Sequence, residues 1–176
     1  MLSLAHMRSR YDSERARAGA DWGVEGVVSH RAAAKLRSLC GLRHARVELS
    51  VARNRNRYRA TGIIVHRISV PLPPEDVAKI DGIPVTKPAR TLLDLASTES
   101  ERMTARFLDD ALRRGLVTLS FLDPWATDPR RKHQRGGRSL RELVEVRAIR
   151  GVTESPLEAD ALKLLSDAGL PVPIVQ

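Results

Sequence analysis

The sequence predicts a fold of the α+β class, with a small antiparallel β-sheet and packed helices. Residues 46–52 and 62–68 have the apolar alternation and the β-branched content of strands. Residues 86–97, 100–114 and 139–148 instead repeat apolar side chains at helical spacing. Because the strands come before most of the helices, the chain is assigned to the α+β class.

The first elements are a helix and two strands. Ser29 as N-cap, three following alanines and Gly41 as the stop predict a helix over residues 29–41. The alternation in residues 46–52 puts three apolar side chains on one face and predicts a half-buried strand. Prolines that follow residues 62–68 end the second strand and predict an extended connection.

A tight turn and a short strand come next, in residues 81–85. Asp81 and Gly82 form a turn dipeptide, in which Gly82 supplies the positive φ that other residues resist. Pro84 has no N–H to donate to a neighbouring strand, so this strand is expected at an edge of the sheet.

A capped helix follows directly. Thr86 is the expected N-cap, and Pro88 falls in the first turn, where a missing N–H is harmless. Arg90 and Asp94 are four residues apart and are expected to pair on the solvent side. The opposite side carries one apolar stripe, made of Ala89, Leu92, Leu93 and Ala96.

Two later helices complete the predicted fold. Residues 100–114 form one of them, and Gly115 is its expected stop. Residues 116–122 predict a connecting segment with a single helical turn, and residues 139–148 regain helical spacing. The buried side of the first helix is expected to consist of Met103, Phe107, Leu108, Ala111 and Leu112.

The segment DGIPVTKPARTLLDLA, residues 81–96, resembles the core signature of the AbiEi-like antitoxin family of type IV toxin–antitoxin systems. Further motifs resemble that family in the same order, at residues 29–34, 47–51, 65–67 and 109–117. The resemblance covers roughly residues 22–150. It implies an antitoxin that counters a nucleotidyltransferase toxin without necessarily binding it. The motifs themselves indicate scaffold, and residues 81–96 taken alone describe a structural corner.

The charge of the chain indicates a polyanionic partner. There are 30 Lys+Arg residues against 21 Asp+Glu, which gives a formal net charge of +9 and a pI near 10.7. Nucleic acid is the commonest polyanion for a basic soluble protein. A high-GC genome is the alternative explanation for the excess of arginine over lysine, but it does not explain the net charge. Aromatic residues make up only 3%, which argues against recognition of single strands by base stacking.

Four alternating arginines between the two predicted strands are the first candidates for DNA contact. If this segment is extended, a period of two puts all four guanidinium groups on one side. A hairpin arm of this kind can reach several phosphates or a narrow minor groove, and it gives affinity without sequence choice. A solvated hairpin tip is the alternative interpretation. The four residues are Arg53, Arg55, Arg57 and Arg59.

A second basic cluster lies in residues 129–138, which have the composition of a linker. Arg130, Arg131 and Lys132 are its candidate DNA contacts, and they would act as a tether that adds non-specific attraction. A solvated linker between domains is the alternative interpretation.

The sequence gives no sign of export, membrane insertion or cofactor chemistry. Cys40 is the single cysteine, so no intramolecular disulfide is possible and a cytoplasmic location is expected. No apolar signal segment or run of roughly 20 apolar residues occurs. No motif for phosphate binding or nucleophilic catalysis occurs, so no catalytic residue and no cofactor are expected. No metal site is expected either, because ligand spacing is absent among His6, His30, His44, His66 and His133.

Residues 151–176 differ in character from the rest of the chain. Ser155 as N-cap, Pro156 in the first turn and Glu158 closing a capping box predict a helix. Together with Glu154 they resemble the opening of a very-short-patch-repair-type (Vsr-like) endonuclease domain, whose fold is that of restriction endonucleases. The resemblance implies a truncated domain, because the metal-binding acidic residues of that family lie further downstream. Glu154 and Glu158 are therefore interpreted as caps, and no nuclease activity is expected.

The sequence predicts a DNA-associating, antitoxin-like regulator that binds nucleic acid electrostatically and whose toxin partner is not identified. One alternative is an inactive, truncated remnant of a Vsr-like endonuclease fusion. Another is an interaction module that neutralises a toxin without touching DNA. The predicted segments are an N-terminal segment 1–22, an antitoxin-like α+β domain 23–128, a basic linker 129–138, a helix 139–150 and the endonuclease-like start 151–176.

Overall fold

The computed structural model describes residues 26–39, 42, 46–52 and 63–150, and in addition Ser9, Leu164, Leu165 and residues 167–169. The chain divides into two compact units, residues 1–94 and residues 95–176. The boundary between residues 94 and 95 does not coincide with any of the predicted segment boundaries. Each unit is described by itself.

The first unit is built on a mixed β-sheet. Its described strands are β1 (Val27–Val28), β2 (Val47–Ala52), β3 (Ile63–Ile68), β4 (Val77–Ile80) and β5 (Ile83–Thr86). Their order across the sheet is β3-β2-β1-β5-β4. β1 is antiparallel to β2 and parallel to β5, β2 and β3 are parallel, and β4 and β5 are antiparallel. The three predicted strands are present, and β1 and β4 are additional to them.

The predicted α+β class is confirmed, but the sheet is mixed rather than antiparallel. β2 and β3 pair in parallel, from Val47 opposite Ile63 to Ala52 opposite Ile68. A hairpin joins antiparallel strands, whereas parallel strands require a crossover connection. The predicted hairpin between these two strands is therefore wrong, although residues 53–62 themselves lie outside the described part of the chain.

The predicted turn at Asp81 and Gly82 is confirmed. These residues join β4 to β5 and have φ angles of 48° and 79°. Two positive φ angles are what a two-residue type I′ hairpin requires. The expected edge position of β5 is wrong, because β5 lies between β1 and β4. Within the described residues, β1 pairs with β5 at Val28 and Val85 alone, so Pro84 has a register partner on one side only, Lys79 of β4.

Helix α1 (His30–Leu36) packs against the sheet at β2. Ser29 occupies its N-cap position, as predicted, but the Ser29 side chain makes no capping hydrogen bond. The helix ends at Leu36, before the predicted stop at Gly41, which lies outside the described residues. One core cluster of the first unit consists of Val28, Ala32, Ala33, Val47, Leu49, Val51, Ile83 and Val85.

Helix α2 (Pro88–Ala96) follows β5. Pro88 is its first residue, as predicted, but Thr86 belongs to β5 and is not its N-cap. The Thr86 Oγ1 atom instead lies 2.8 Å from Thr91 Oγ1 inside the unit. Burial is not confined to the predicted apolar stripe, since every residue of 89–94 is buried.

The described part of the second unit is helical. Its helices are α3 (Glu101–Arg113), α4 (Leu119–Thr127) and α5 (Gly137–Arg150), and α5 packs against the other two. The helices predicted over 100–114 and 139–148 are confirmed, whereas α4 is longer than the predicted single turn. None of the helices in the described part of the chain is long and apolar enough to cross a membrane. The buried apolar side chains of this unit include Phe107, Leu108, Ala111, Leu122, Leu140 and Val144.

Both ends of α3 are capped. Ser100 Oγ accepts a hydrogen bond from the Met103 N–H at 3.3 Å, which satisfies one of the free donors of the first turn. Gly115 follows the helix with a φ of 64°, and the Leu116 N–H donates to the Ala111 carbonyl at 2.9 Å. This is the Schellman arrangement, so the predicted stop at Gly115 is confirmed.

Candidate functional site

The second predicted basic cluster is a folded turn between α4 and α5. We call residues 128–136 the basic turn. Arg130 is exposed, and its Nη2 donates to Asp128 Oδ2 at 2.8 Å. Hydrogen bonds from the Arg130 side chain and backbone hold the pKa of Asp128 at about 2. Lys132 is also exposed, and its carbonyl oxygen accepts a hydrogen bond from Arg141 Nη1 at 2.8 Å.

Arg131 points into the fold instead of toward solvent. Its side chain is 5% exposed, and its guanidinium carbon lies 4.5 Å from the centroid of the Trp125 ring. Its Nη1 donates to Asp128 Oδ2 at 2.9 Å. Of the three cations predicted here as DNA contacts, Arg131 is therefore buried and packs within the protein, whereas Arg130 and Lys132 are exposed at the surface.

Two further exposed cations lie in the basic turn or directly after it. Arg135 belongs to the turn and Arg138 follows it, and Arg138 Nε donates to Glu142 Oε1 at 2.8 Å. Residues 128–142 contain six Lys+Arg and two Asp+Glu, which leaves a formal charge of +4. This surface therefore retains an excess of positive charge after its internal ion pairs are counted. The four predicted contacts Arg53, Arg55, Arg57 and Arg59 lie outside the described residues.

A second polar group lies on the sheet of the first unit. We call His30, Glu48 and His66 the histidine cluster. His66 Nε2 lies 2.7 Å from Glu48 Oε2, and the two side chains are 22% and 6% exposed. The His30 ring stacks on the His66 ring, with centroids 3.5 Å apart and planes inclined by 15°. Two histidine side chains and a carboxylate are thus in contact with one another at the sheet.

The positions of these side chains follow from the strand register. Residues of a strand point alternately to opposite faces, so Glu48 and Ser50 face away from the apolar side of β2. Ser50 pairs with His66 across the β2–β3 ladder. His30 is supplied by the first residue of α1, directly after β1 and Ser29.

Two serines support His30. Ser50 Oγ donates to Ser29 Oγ at 2.9 Å, and Ser29 Oγ lies 2.8 Å from His30 Nδ1. Burial, reinforced by the charges of His66 and Arg90, lowers the pKa of His30 to about 3. His30 is therefore neutral at physiological pH.

The backbone of His30 is in an uncommon conformation. Its φ is 51°, in the left-handed region that residues other than glycine seldom adopt. Strain of this kind is found preferentially at functional sites, where the surrounding structure holds it in place.

Arg90 and Asp94 form a buried pair in the same unit. Arg90 Nε donates to Asp94 Oδ1 at 2.9 Å, so the predicted pairing is confirmed. The predicted solvent exposure is wrong, because the two residues are 7% and 4% exposed. A charged pair can be buried when it is hydrogen-bonded, and this pair is. Burial raises the pKa of Asp94 to about 6, although Arg90 opposes the rise.

The comparison with known families agrees with the motif pattern of the sequence. Residues 28–146 match the family model of the AbiEi antitoxin C-terminal domain. The chain belongs to the AbiEi antitoxin family. The predicted resemblance is confirmed at this level, and an antitoxin of a type IV toxin–antitoxin system is the function that this membership indicates. No curated protein and no solved structure matches the chain.

The AbiEi match includes both the histidine cluster and the basic turn. It ends at residue 146 and does not extend into residues 151–176. The predicted Vsr-like endonuclease start therefore has no support from the comparisons. Most of that segment also lies outside the described residues.

Sequence reasoning missed the histidine cluster of the AbiEi domain. Glu48 and His66 are 18 residues apart in the chain, so no local ligand motif connects them. One local signal was present in the sequence. The alternation in β2 places Glu48 on the face of the strand opposite the apolar side chains of β2. The parallel pairing of β2 with β3 brings His66 beside it, and that pairing has no local signature in the sequence.

Proposed function

We infer that this chain is an antitoxin that associates with nucleic acid through electrostatic contacts. The match of residues 28–146 to the AbiEi antitoxin domain supports the antitoxin function. Charge supports the nucleic-acid partner. Residues 1–94 contain 17 Lys+Arg against 9 Asp+Glu, a formal charge of +8, and residues 95–176 contain 13 against 12, a charge of +1. The excess positive charge thus belongs to the first unit, in which the four alternating arginines occur.

Two surfaces are proposed to contact phosphates. One is the segment with Arg53, Arg55, Arg57 and Arg59, and the other is the basic turn with Arg130 and Lys132 exposed. Each phosphate that a protein cation neutralises releases counterions, which makes binding salt-dependent. Contacts of this type give affinity with little sequence preference.

A salt titration tests the first surface. Binding of the full chain to a short fluorescein-labelled duplex is measured by anisotropy at increasing salt concentrations. Alanine at positions 53, 55, 57 and 59 should flatten the log–log slope by about 3–4 units if all four arginines contact phosphates, since each contributes about 0.9. Absence of binding by the unaltered chain at low salt would contradict the proposal.

A charge-matched variant controls for net charge. Arg46, Arg67, Lys79 and Lys87 are exposed and are dispersed over the first unit. Their replacement by alanine removes the same formal charge as the test variant. If both variants flatten the slope equally, overall charge and not the arginine segment determines binding.

The basic turn is tested separately. Arg130→Ala combined with Lys132→Ala removes two exposed cations, so a decrease in slope of roughly 2 units is expected if both contact phosphates. An unchanged slope removes this surface from the proposed binding site. Arg131 is left in place, because it is buried and stacks on Trp125, so its replacement is expected to disturb the turn.

The antitoxin function is tested in cells. The chain is co-expressed with a nucleotidyltransferase toxin from the same genetic system, and growth should be restored. Failure to restore growth, with both proteins detected, would contradict the antitoxin function. If a variant that has lost DNA binding restores growth fully, neutralisation does not depend on nucleic acid.

The proposal includes no nuclease activity. The antitoxin match ends before the segment that resembles the start of an endonuclease. Supercoiled plasmid incubated with the purified chain and Mg²⁺ should therefore stay intact. Nicking that co-elutes with the chain on size exclusion, and that EDTA stops, would contradict this expectation.

A further inference from the structure

The histidine cluster has no part in the proposed contact with nucleic acid. Each of its residues offers one possible ligand atom, and these atoms all lie within 4.8 Å of one another. His30 and Glu48 are buried, and His66 is half-buried. Three side chains with ligand chemistry are thus brought together from β2, β3 and the start of α1.

We propose that His30, Glu48 and His66 bind a divalent transition-metal ion, with Zn²⁺ as the best fit. Two imidazoles and one carboxylate form a donor set that zinc uses, with a fourth position left for water or another ligand. Calcium and magnesium prefer sites made of oxygen atoms alone. The donor set thus favours zinc over these harder cations.

The serines supply the outer contacts that such a site needs. A metal-bound histidine usually hydrogen-bonds through its second ring nitrogen, which fixes the orientation of the ring. His30 Nδ1 lies 2.8 Å from Ser29 Oγ, which also accepts a hydrogen bond from Ser50. A hydroxyl oxygen has two acceptor positions, so Ser29 can accept from both partners. His30 Nε2 is then the atom available to the metal.

The contact between Glu48 and His66 also suits a cation. Glu48 contributes a carboxylate 2.7 Å from His66 Nε2. A metal ion would replace the hydrogen that these two atoms share.

Binding requires a small local movement. Bonds of about 2.0–2.1 Å to nitrogen and oxygen place the ligand atoms of a tetrahedral zinc site roughly 3.3 Å apart. The widest separation in the cluster is at most 4.8 Å and has to shorten by no more than about 1.5 Å, whereas the 2.7 Å contact between His66 and Glu48 has to lengthen. The stacked rings of His30 and His66 have to tilt. His66 is the more exposed of the two and is the ring that can turn.

Zinc titration of the full chain tests the proposal. The chain is stripped with EDTA and titrated with Zn²⁺ in competition with a chromophoric chelator. Replacing Cys40 by Ser first removes a thiol that could bind zinc on its own. One equivalent of zinc should bind in this background, and His66→Gln should weaken binding by more than about 100-fold. Absence of stoichiometric binding, or equal binding by His66→Gln, would overturn the proposal.

A matched control variant shows whether the loss of zinc binding is specific to His66, and a second readout tests the site without any substitution in it. His133→Gln replaces an exposed histidine of the basic turn and should bind zinc like the parent chain. Because His66→Gln could fail to fold, cobalt is added to the parent chain and NMR signals are followed. Paramagnetic broadening should centre on residues near His30, Glu48 and His66. Broadening centred elsewhere would overturn the assignment, whichever variants fold.

Discussion

Arg147 and Asp109 join α5 to α3 by a two-point ion pair inside the second unit. Arg147 Nε donates to Asp109 Oδ1 at 2.8 Å, and Arg147 Nη2 donates to Asp109 Oδ2 at 3.0 Å. The side chains are 10% and 2% exposed. Because both charges are buried, removing one partner takes a charge-assisted contact away from the other while it stays buried.

Arg147→Met should lower the free energy of unfolding by about 3–5 kcal/mol, because Asp109 stays buried and loses its two-point contact with a cation. The double variant with Asp109→Leu should recover most of this loss, since the buried carboxylate is then removed as well. Urea unfolding followed by circular dichroism measures both. Arg138→Ala, on the same helix but in an exposed pair with Glu142, is the control and should show no measurable loss. Equal stability of Arg147→Met and the control would contradict a buried pair.

Asp94 should make the stability of the first unit depend on pH. Burial raises its pKa from 3.8 to about 6, so the folded state holds this proton more tightly than the unfolded state. The resulting stability is fully present below pH 4 and is lost as the pH rises to about 6. Two pKa units correspond to roughly 3 kcal/mol. Asp94→Asn should lack this loss, although it is less stable overall because Arg90 loses its charged partner.

The measurement is the difference in unfolding free energy between Asp94→Asn and the unaltered chain, from pH 4 to pH 7 in EDTA. His30 has a lowered pKa and acts in the opposite direction, with stability lost as the pH falls. Its contribution is present in both proteins and cancels in the difference. Parallel pH curves for the two proteins would show that Asp94 does not titrate in this range.

Local signals in the sequence predicted much of this fold. The Asp81–Gly82 turn, the Gly115 stop and the α3 and α5 helices each depend on a few neighbouring residues. The chain needs no distant partner to specify such features. Their agreement with the structure is therefore expected from short-range physical chemistry.

Features that depend on long-range pairing were not predictable in the same way. Apolar alternation in β2 and β3 identifies strands but carries no information on their relative direction, and these strands are parallel. Charged residues are usually exposed, which led to the wrong prediction for Arg90. The pairing with Asp94, one turn away, reduces the cost of burying this arginine.

Arg131 should affect stability, and its neighbour Lys132 should not. Arg131 stacks on Trp125 and pairs with Asp128, whereas Lys132 is exposed. Arg131→Ala is expected to cost about 1–3 kcal/mol of unfolding free energy through lost packing and cation–π contact. Thermal unfolding measures the loss, and Lys132→Ala is the control. Similar melting temperatures for the two variants would contradict the buried position of Arg131.

Gly137 should be sensitive to substitution because it contacts the backbone of the basic turn. A Cβ atom at this position would lie 2.8 Å from the Arg131 carbonyl oxygen and 2.9 Å from that of Lys132. Gly137→Ala must therefore displace the turn, at an expected cost of about 1–3 kcal/mol. Gly115→Ala is the control for the fluorescence readout, because a Cβ there meets nothing within 4 Å, although its left-handed φ makes alanine costly for stability as well. Trp125 emission should change in Gly137→Ala alone, since Arg131 moves with the turn. An unchanged emission spectrum and stability in Gly137→Ala would show that the turn is not packed against α5.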